Sequence, residues 1–420
     1  MAHSTDERDI DIVLVGSTGF VGRLVAGHLR DHAPESLRIA VAGRSRAKLD
    51  QIAAELGGAA ASWPRLLVDV EDPAACADLA TRSRVVVTTV GPYALHGREL
   101  VKACAVAGTH YADLTGEVLF VRDSADAFHE VAQRTGARIV HSCGFDSIPS
   151  DLGVFETARR AHEDGSGELT RTQLFVRQLK GGLSGGTIAS MRQQAVAAKG
   201  SLEDKRAIND PYGLSPNRSL EPTREEQSVS KDSRGGSRLP VRRGEDGHWL
   251  GPFLMASYNT RVVRRTNALL GHSYGRGFRY SEVSDYGTDR RAAVRAASTT
   301  AGLLAVAGGM STAPTRAVLD RLLPKPGSGP SAEARAKGRF RMEVLAETTS
   351  GARYSTTVAA TADPGYNGTA IMLGQSALSL ATDDLSAEGG VLTPAVAMDG
   401  FLAERLRAQG FTIETTRLED

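Results

Sequence analysis

Gly16, Gly19 and Gly22 recur at every third position of the stretch GSTGFVG, directly after the aliphatic run from Asp11 to Val15. This spacing suits contact between main chain and a diphosphate. Gly16 permits a tight turn out of a strand, Gly19 lets phosphates lie on bare backbone, and Gly22 lets the next helix pack closely. The first N–H groups of that helix lack intrahelical partners, and its dipole favours anions. The pattern therefore predicts a dinucleotide site over Gly16, Ser17, Thr18, Gly19, Phe20, Val21 and Gly22. At the end of the following strand, where an acid would hold an NAD ribose, the chain has Gly43-Arg44-Ser45, with Arg46 and Lys48 beyond. An acid there would repel a 2′-phosphate, whereas a guanidinium binds one through two parallel charged hydrogen bonds. Arg44, Ser45 and Lys48 thus point to NADP. The plainer alternative is a set of surface cations on a loop.

These residues need a scaffold, and the first 150 residues spell one. Strand-like runs at RIAVAGRS, RLLVDVED (65–72), RVVVTTVGPY (84–93), THYADL and ARIVHSCG alternate with helical stretches. Such alternation predicts a doubly wound parallel sheet of Rossmann type, with its ligand at the carboxyl ends of the strands. Asp69 then falls near an adenine edge, and Gly91-Pro92 beside a nicotinamide.

After Gly144 the texture changes. CGFDSIPSDLG reads as a sheet-to-helix corner, with Ser150 or Asp151 placed to cap the next helix. The stretch ELTRTQLFVRQLK alternates as a strand and runs into GGLSGGTIAS, a second glycine-rich junction whose amides suit an oxyanion or act as a hinge. Residues 201–247 are polar and aperiodic, which predicts a mobile insertion at the substrate mouth. Residues 253–270 read as a helix carrying Arg261, Arg264 and Arg265. These form either a solvated basic face or a docking site for phosphopantetheine or an acidic carrier. Phe340, Met342 and Val344 alternate into a hairpin turning at Ser350-Gly351, and helices follow over 366–382 and 394–408. The expectation is an NADP-binding domain over 1–150 and an α+β domain with an antiparallel sheet over 151–363. The helices of about 364–420 are expected to pack back on the first domain.

The chain has 420 residues, 41% hydrophobic and 24% charged, with formal charge +1. Length favours two domains, and the near-zero charge gives no case for nucleic acid. The three cysteines are far apart and predict buried thiols in a reducing cytosol, with no metal site. No apolar stretch is long enough to span a bilayer, which leaves a cytoplasmic protein with peripheral membrane contact open.

In combination, GSTGFVG, AGRS, TTVGPY, YADLTGE, CGFDSIPSDLG and GGLSGGT resemble the saccharopine-dehydrogenase-like oxidoreductases, and most closely the trans-acting enoyl reductases of actinobacterial lipid and polyketide synthesis. The resemblance implies NADPH bound at Gly16, Gly19, Gly22, Arg44 and Gly91. It further implies a second domain that supplies the substrate pocket and a homodimer contact. The reaction it implies saturates a C=C bond on an acyl chain held by a polyketide synthase carrier. Hydride delivery to an enoyl thioester requires a donor for the oxygen and a proton for the α-carbon. Candidates are Tyr93, His96, Asp113, Thr115, Glu117, Lys180 and the Gly185-Gly186-Thr187 amides, with Tyr93 and Lys180 preferred as the catalytic pair. Plainer roles are open for each: Tyr93 as a pocket wall, Asp113 as a loop brace, Glu117 as a cap of the following helix. A saccharopine-type C=N dehydrogenase and a non-catalytic NADP(H) sensor are the competing readings.

Overall fold

Ile10–Val15, buried at every position, is β1, an interior strand of a seven-stranded, wholly parallel sheet. In a computed structural model the described residues are 8–181, 185–197, 201–222, 240–309 and 329–419. The other strands of this sheet are β2 (Ile39–Gly43), β3 (Arg65–Leu67), β4 (Ser83–Thr88), β5 (His110–Ala112) and β6 (Arg138–Val140). The second sheet contains β7 (Leu169–Lys180), β8 (Arg242–Arg243), β9 (Trp249–Pro252), β10 (Arg279–Asp285), β11 (Arg339–Thr348) and β12 (Arg353–Ala360). The late strands β13 (Gly390–Leu392) and β14 (Thr412–Leu418) are divided between the two sheets. The first sheet has the order β13-β6-β5-β4-β1-β2-β3 and the second β14-β12-β11-β7-β10-β9-β8.

Strands buried on both faces read as continuous aliphatic runs, which is why β1, β2 and β4 are visible in the sequence. Local caps start two of their helices. Ser45 accepts from the Lys48 N–H, and Asp72 caps the Pro73–Arg82 helix with proline in its first turn. The second sheet is antiparallel apart from β7 and β10, which run parallel. The β11–β12 hairpin has the expected register, with Val344 opposite Thr356, and Phe340, Met342 and Val344 are all buried.

Four features differ from the sequence reading. The strands expected over 65–72 and 84–93 stop at Leu67 and Thr88, so Asp69 lies in a loop and Tyr93 opens the short Tyr93–His96 helix. Part of the region 201–247 is built and packed. Leu202–Asn209 is a helix closed by a capping box between Ser201 and Asp204, and Tyr212 and Leu214 are buried. Residues 223–239 lie outside the described residues, and so does that part of the expected insertion.

The third difference explains the second. Arg261, Arg264 and Arg265 form neither a solvated face nor a docking site. They point inward from the Ala256–Leu269 helix and bond main-chain carbonyls. Arg264 donates to Pro211 O and Tyr280 O at 3.0 Å each, and Arg265 donates to Leu214 O at 2.6 Å and Val391 O at 2.7 Å. Arg261 donates to Asp210 O at 3.0 Å and to Ile208 O. A guanidinium is a fixed fork of donors and is weakly hydrated, so it can satisfy several carbonyls without a carboxylate partner. Burial lowers the pKa of all three, that of Arg265 to about 10. No periodicity in 208–214 could reveal that its partners are backbone oxygens.

Asp151 likewise does not cap its own helix. Its buried carboxylate accepts from Ala395 N at 2.9 Å, near the start of the Pro394–Ala408 helix, and from Thr266 Oγ1 at 2.5 Å. Burial raises its pKa from 3.8 to about 7. The unfolded chain therefore releases a proton from about pH 4 upward while the fold retains it to about 7, so this group erodes stability as pH rises through that window. Asp151→Asn removes the ionisation; its oxygen still accepts from Ala395 N, and its amide donates to Thr266 Oγ1, whose hydrogen turns to Val262 O. Urea unfolding should show the variant gaining on the native chain by on the order of 4 kcal/mol between about pH 4 and about pH 8. A pH-independent difference would contradict the assignment.

Candidate active site

The carboxyl ends of β1, β4, β5 and β6 open onto one cleft. Residues 19–22, Thr89, Gly91, residues 114–116, Ser142 and residues 144–146 line it from the first sheet. Gly185, Gly186, Ala189, Ser190, Met255, Gly365, Tyr366 and Thr369 close it from the rest of the chain. Ligands of doubly wound sheets collect at this edge, where the strand order reverses.

The glycine loop has the geometry that its spacing predicts. Gly16 turns with φ of +83°, and an added Cβ there would lie 2.7 Å from Val90 Cγ2. At Gly22 an added Cβ would stand 2.2 Å from the carbonyl oxygen of Gly16, so the helix packs directly on the turn. Around Gly19 the nearest atom to such a Cβ is that same oxygen at 3.4 Å, which leaves the backbone open to the cleft. Gly19 is the N-cap of the Phe20–His32 helix, and no side chain caps it. Ser17 Oγ is buried and meets no hydrogen-bond partner among the described residues. An uncapped helix start beside an open glycine and an unsatisfied hydroxyl fits a diphosphate.

Arg44 follows the last residue of β2 and is exposed, beside a loop whose Thr18 Cγ2 lies 3.8 Å from where a Gly43 Cβ would be. Among the described residues Arg44 has no ion pair or side-chain hydrogen bond. Its neighbour Arg46 is engaged with Asp50 at 3.3 Å. Lys48 is exposed in the first turn of the Arg46–Leu56 helix, and Asp69 is exposed with its Oδ1 taking Glu71 N at 3.1 Å. Arg44, Ser45, Lys48 and Asp69 are not among the residues that line the cleft. Gly91 lines the cleft, joined to Pro92 by a cis peptide.

The two preferred donors have different surroundings. Tyr93 walls the cleft, but its hydroxyl is committed. It donates to Thr88 O at 3.2 Å and accepts from Leu114 N at 3.2 Å. Burial, reinforced by Asp113, raises its pKa well above the ordinary phenol value. Lys180 is exposed at the end of β7, opposite Arg339, and is not part of the lining. His96 faces outward onto Glu71 at 2.9 Å. Glu117 caps a helix, though not the following one. It accepts from Tyr93 N and Ala94 N at 3.0 and 2.8 Å, fixing the short Tyr93–His96 turn, and also from Ser190 Oγ at 2.8 Å. Asp113 is a loop brace: its oxygens receive Thr115 N, Ser142 N, Tyr111 OH and His141 Nδ1.

Sequence reasoning passed over Ser142, Tyr258 and Tyr366. Ser142 lines the cleft with φ of +68°, and its Oγ is 2.5 Å from Tyr258 OH. Burial pushes the Tyr258 phenol up, so it stays a donor. Tyr366 lines the cleft edge-on to Phe20, with ring centroids 5.1 Å apart, and the Gly185 N–H points at its oxygen. Nothing in HSCG marks a serine for left-handed backbone, since glycine or asparagine is the usual signal.

Residues 12–140 match the saccharopine dehydrogenase NADP-binding domain family. A Mycobacterium tuberculosis protein provisionally described as a trans-acting enoyl reductase is 48% identical over 424 residues, covering 98% of each chain. The trans-acting enoyl reductase of Mycobacterium ulcerans is 45% identical over 425 residues, covering 99% of this chain and 100% of the relative. Among solved structures, saccharopine dehydrogenase (L-Glu forming) of Saccharomyces cerevisiae shares the fold, with a TM-score of 0.52 at 14% identity over 98% of this chain and 100% of that one. Among the described residues no helix is long and apolar enough to cross a membrane. With near-half identity running from end to end, and an NADP-binding domain that carries the open glycine loop, the chain belongs to the trans-acting enoyl reductase family of saccharopine-dehydrogenase-like proteins.

Proposed function

We propose that the chain is an NADPH-dependent enoyl reductase, saturating the C=C bond of an acyl chain carried on an acyl carrier domain of a polyketide synthase. The observation that supports this most directly is the cleft itself. Among the described residues its lining is dominated by Phe20, Val21, Leu114, Phe145, Ala189, Met255 and bare glycine, with Asp146 the one carboxylate and no lysine or arginine. A saccharopine-type substrate bears several carboxylates and requires converging cations, whereas an acyl thioester requires an apolar slot. Arg264 and Arg265, on the helix that follows the cleft residue Met255, are bound to carbonyls.

In this reading the N–H groups of Phe20, Val21 and Gly22 hold the diphosphate, and Arg44, with Lys48 near it, holds the 2′-phosphate. Gly91 and the turn fixed by Glu117 leave room for the nicotinamide. The cofactor supplies a hydride for the β-carbon when bound. Tyr93 shapes the wall on which it rests. The apolar lining excludes water from the developing enolate, where a fixed donor is worth more than it is in solvent.

The test is to mix the purified protein with NADPH and enoyl thioesters of increasing chain length, on pantetheine and on an isolated carrier domain. Consumption of NADPH with matching appearance of the saturated thioester is the expected result. Tight NADPH binding without consumption across the series would support a sensor, and consumption with imines alone an amine dehydrogenase.

A further inference from the structure

Ser142 is held where a serine does not naturally rest. Its φ of +68° lies in the left-handed region, which costs a residue with a Cβ about 1 kcal/mol. Asp113 enforces that conformation through Ser142 N at 3.0 Å, while its other oxygen takes His141 Nδ1 at 2.7 Å and its backbone oxygen takes Cys143 N at 2.7 Å. His141 is anchored in turn on Ser124 at 2.8 Å. A brace across three successive residues that keeps a strained serine at the rim of a cleft is the kind of outlier that marks function.

The hydroxyl is oriented as well as placed. Ser142 Oγ donates to Thr115 O at 2.9 Å, so the hydrogen in its 2.5 Å contact with Tyr258 comes from the phenol. Tyr258 reaches across from the helix that begins beside Met255, itself a cleft residue. With one lone pair filled by Tyr258, the serine hydrogen is left to Thr115 O or to a ligand oxygen in the cleft.

We propose that Ser142 is a catalytic residue that hydrogen-bonds the thioester carbonyl oxygen as it gains negative charge, with Tyr258 and Asp113 as positioning residues. This assignment rests on the enoyl-reductase reading above. Binding of the acyl oxygen shifts one hydrogen bond from Thr115 O to the ligand, and Tyr258 strengthens the donor by polarising it.

Ser142→Gly is the decisive variant, because glycine adopts the same φ without strain and the fold is retained. Two readouts are taken on the full chain: turnover of an enoyl-pantetheine thioester, and calorimetric affinity for the saturated butyryl-pantetheine thioester with NADP+ present. Ser142→Gly should lower kcat about 100-fold, as loss of one oxyanion donor does, and weaken thioester binding by severalfold, while NADP+ affinity stays within twofold. Tyr258→Phe should lower kcat about 10-fold with little change in KM, and should have no further effect in the Ser142→Gly background. An active native enzyme with an equally active Ser142→Gly variant overturns the assignment alone. A native protein that neither binds the thioester nor oxidises NADPH with it overturns the enoyl-reductase reading and this assignment together.

Discussion

Replacing Gly22 by alanine is expected to lower stability by about 3 kcal/mol and to remove measurable NADPH binding. The added methyl would stand 2.2 Å from the carbonyl oxygen of Gly16, 2.9 Å from the carbonyl carbon and 2.9 Å from Ser17 Cα. All three are backbone, so no rotamer change relieves the overlap. The helix must move off the turn, and with it the N–H groups that would face the diphosphate. Gly27→Ala is the internal control on the same helix. Its methyl would meet only Leu56 Cδ2 at 3.8 Å, an ordinary contact. Helix propensity then favours alanine by roughly 0.5–1 kcal/mol. Denaturant unfolding and NADPH fluorescence titration on both variants check the prediction. Similar behaviour of the two would refute the close approach.

Arg44→Asp is expected to cut the preference for NADPH over NADH by about 100-fold or more. Hydrogen bonds to charged groups contribute about 1.5–3 kcal/mol each, and two parallel ones from an exposed guanidinium, discounted for solvent, leave about 3 kcal/mol. The aspartate adds repulsion toward the 2′-phosphate. Arg44 has no partner within the described fold to lose, so stability should be unchanged. The check is the ratio of the two dissociation constants, with NADH affinity staying within a few fold of the native value. Equal loss of both dinucleotides would mean that Arg44 supports the loop and does not read the phosphate.

The legibility of this chain follows the kind of interaction involved. The first sheet could be read because β1, β2 and β4 are buried on both faces and therefore continuously apolar. The glycine loop could be read because glycine is the one residue that tolerates contact at Gly16 and Gly22. The misreadings involve partners far along the chain. Arg265 looks solvated until Leu214 and Val391 are brought to it, and Asp151 looks like a cap for its own helix until Ala395 arrives. Lys180 was favoured for its nearness in sequence to a glycine-rich junction, but β7 ends with that side chain exposed. Tyr93 lines the cleft, but no pattern in the sequence foretells that Leu114 N and Thr88 O occupy its hydroxyl. Ser142 gave no signal, since its importance rests on a dihedral angle.

The late strand β13 also bears on how the protein is made. It pairs with β6 through Val391 opposite Ile139, and Arg265 holds Val391 from the other side. During synthesis the nucleotide-binding sheet emerges early with the edge of β6 bare, and about 250 residues must leave the ribosome before that edge is covered. At about 5–20 residues per second the nascent chain carries an open edge for roughly 10–50 s. An uncovered edge is a template for pairing with other chains. An excised fragment of residues 1–150 would keep that vulnerability for its whole lifetime, so this part of the chain is expected to self-associate when it is expressed alone.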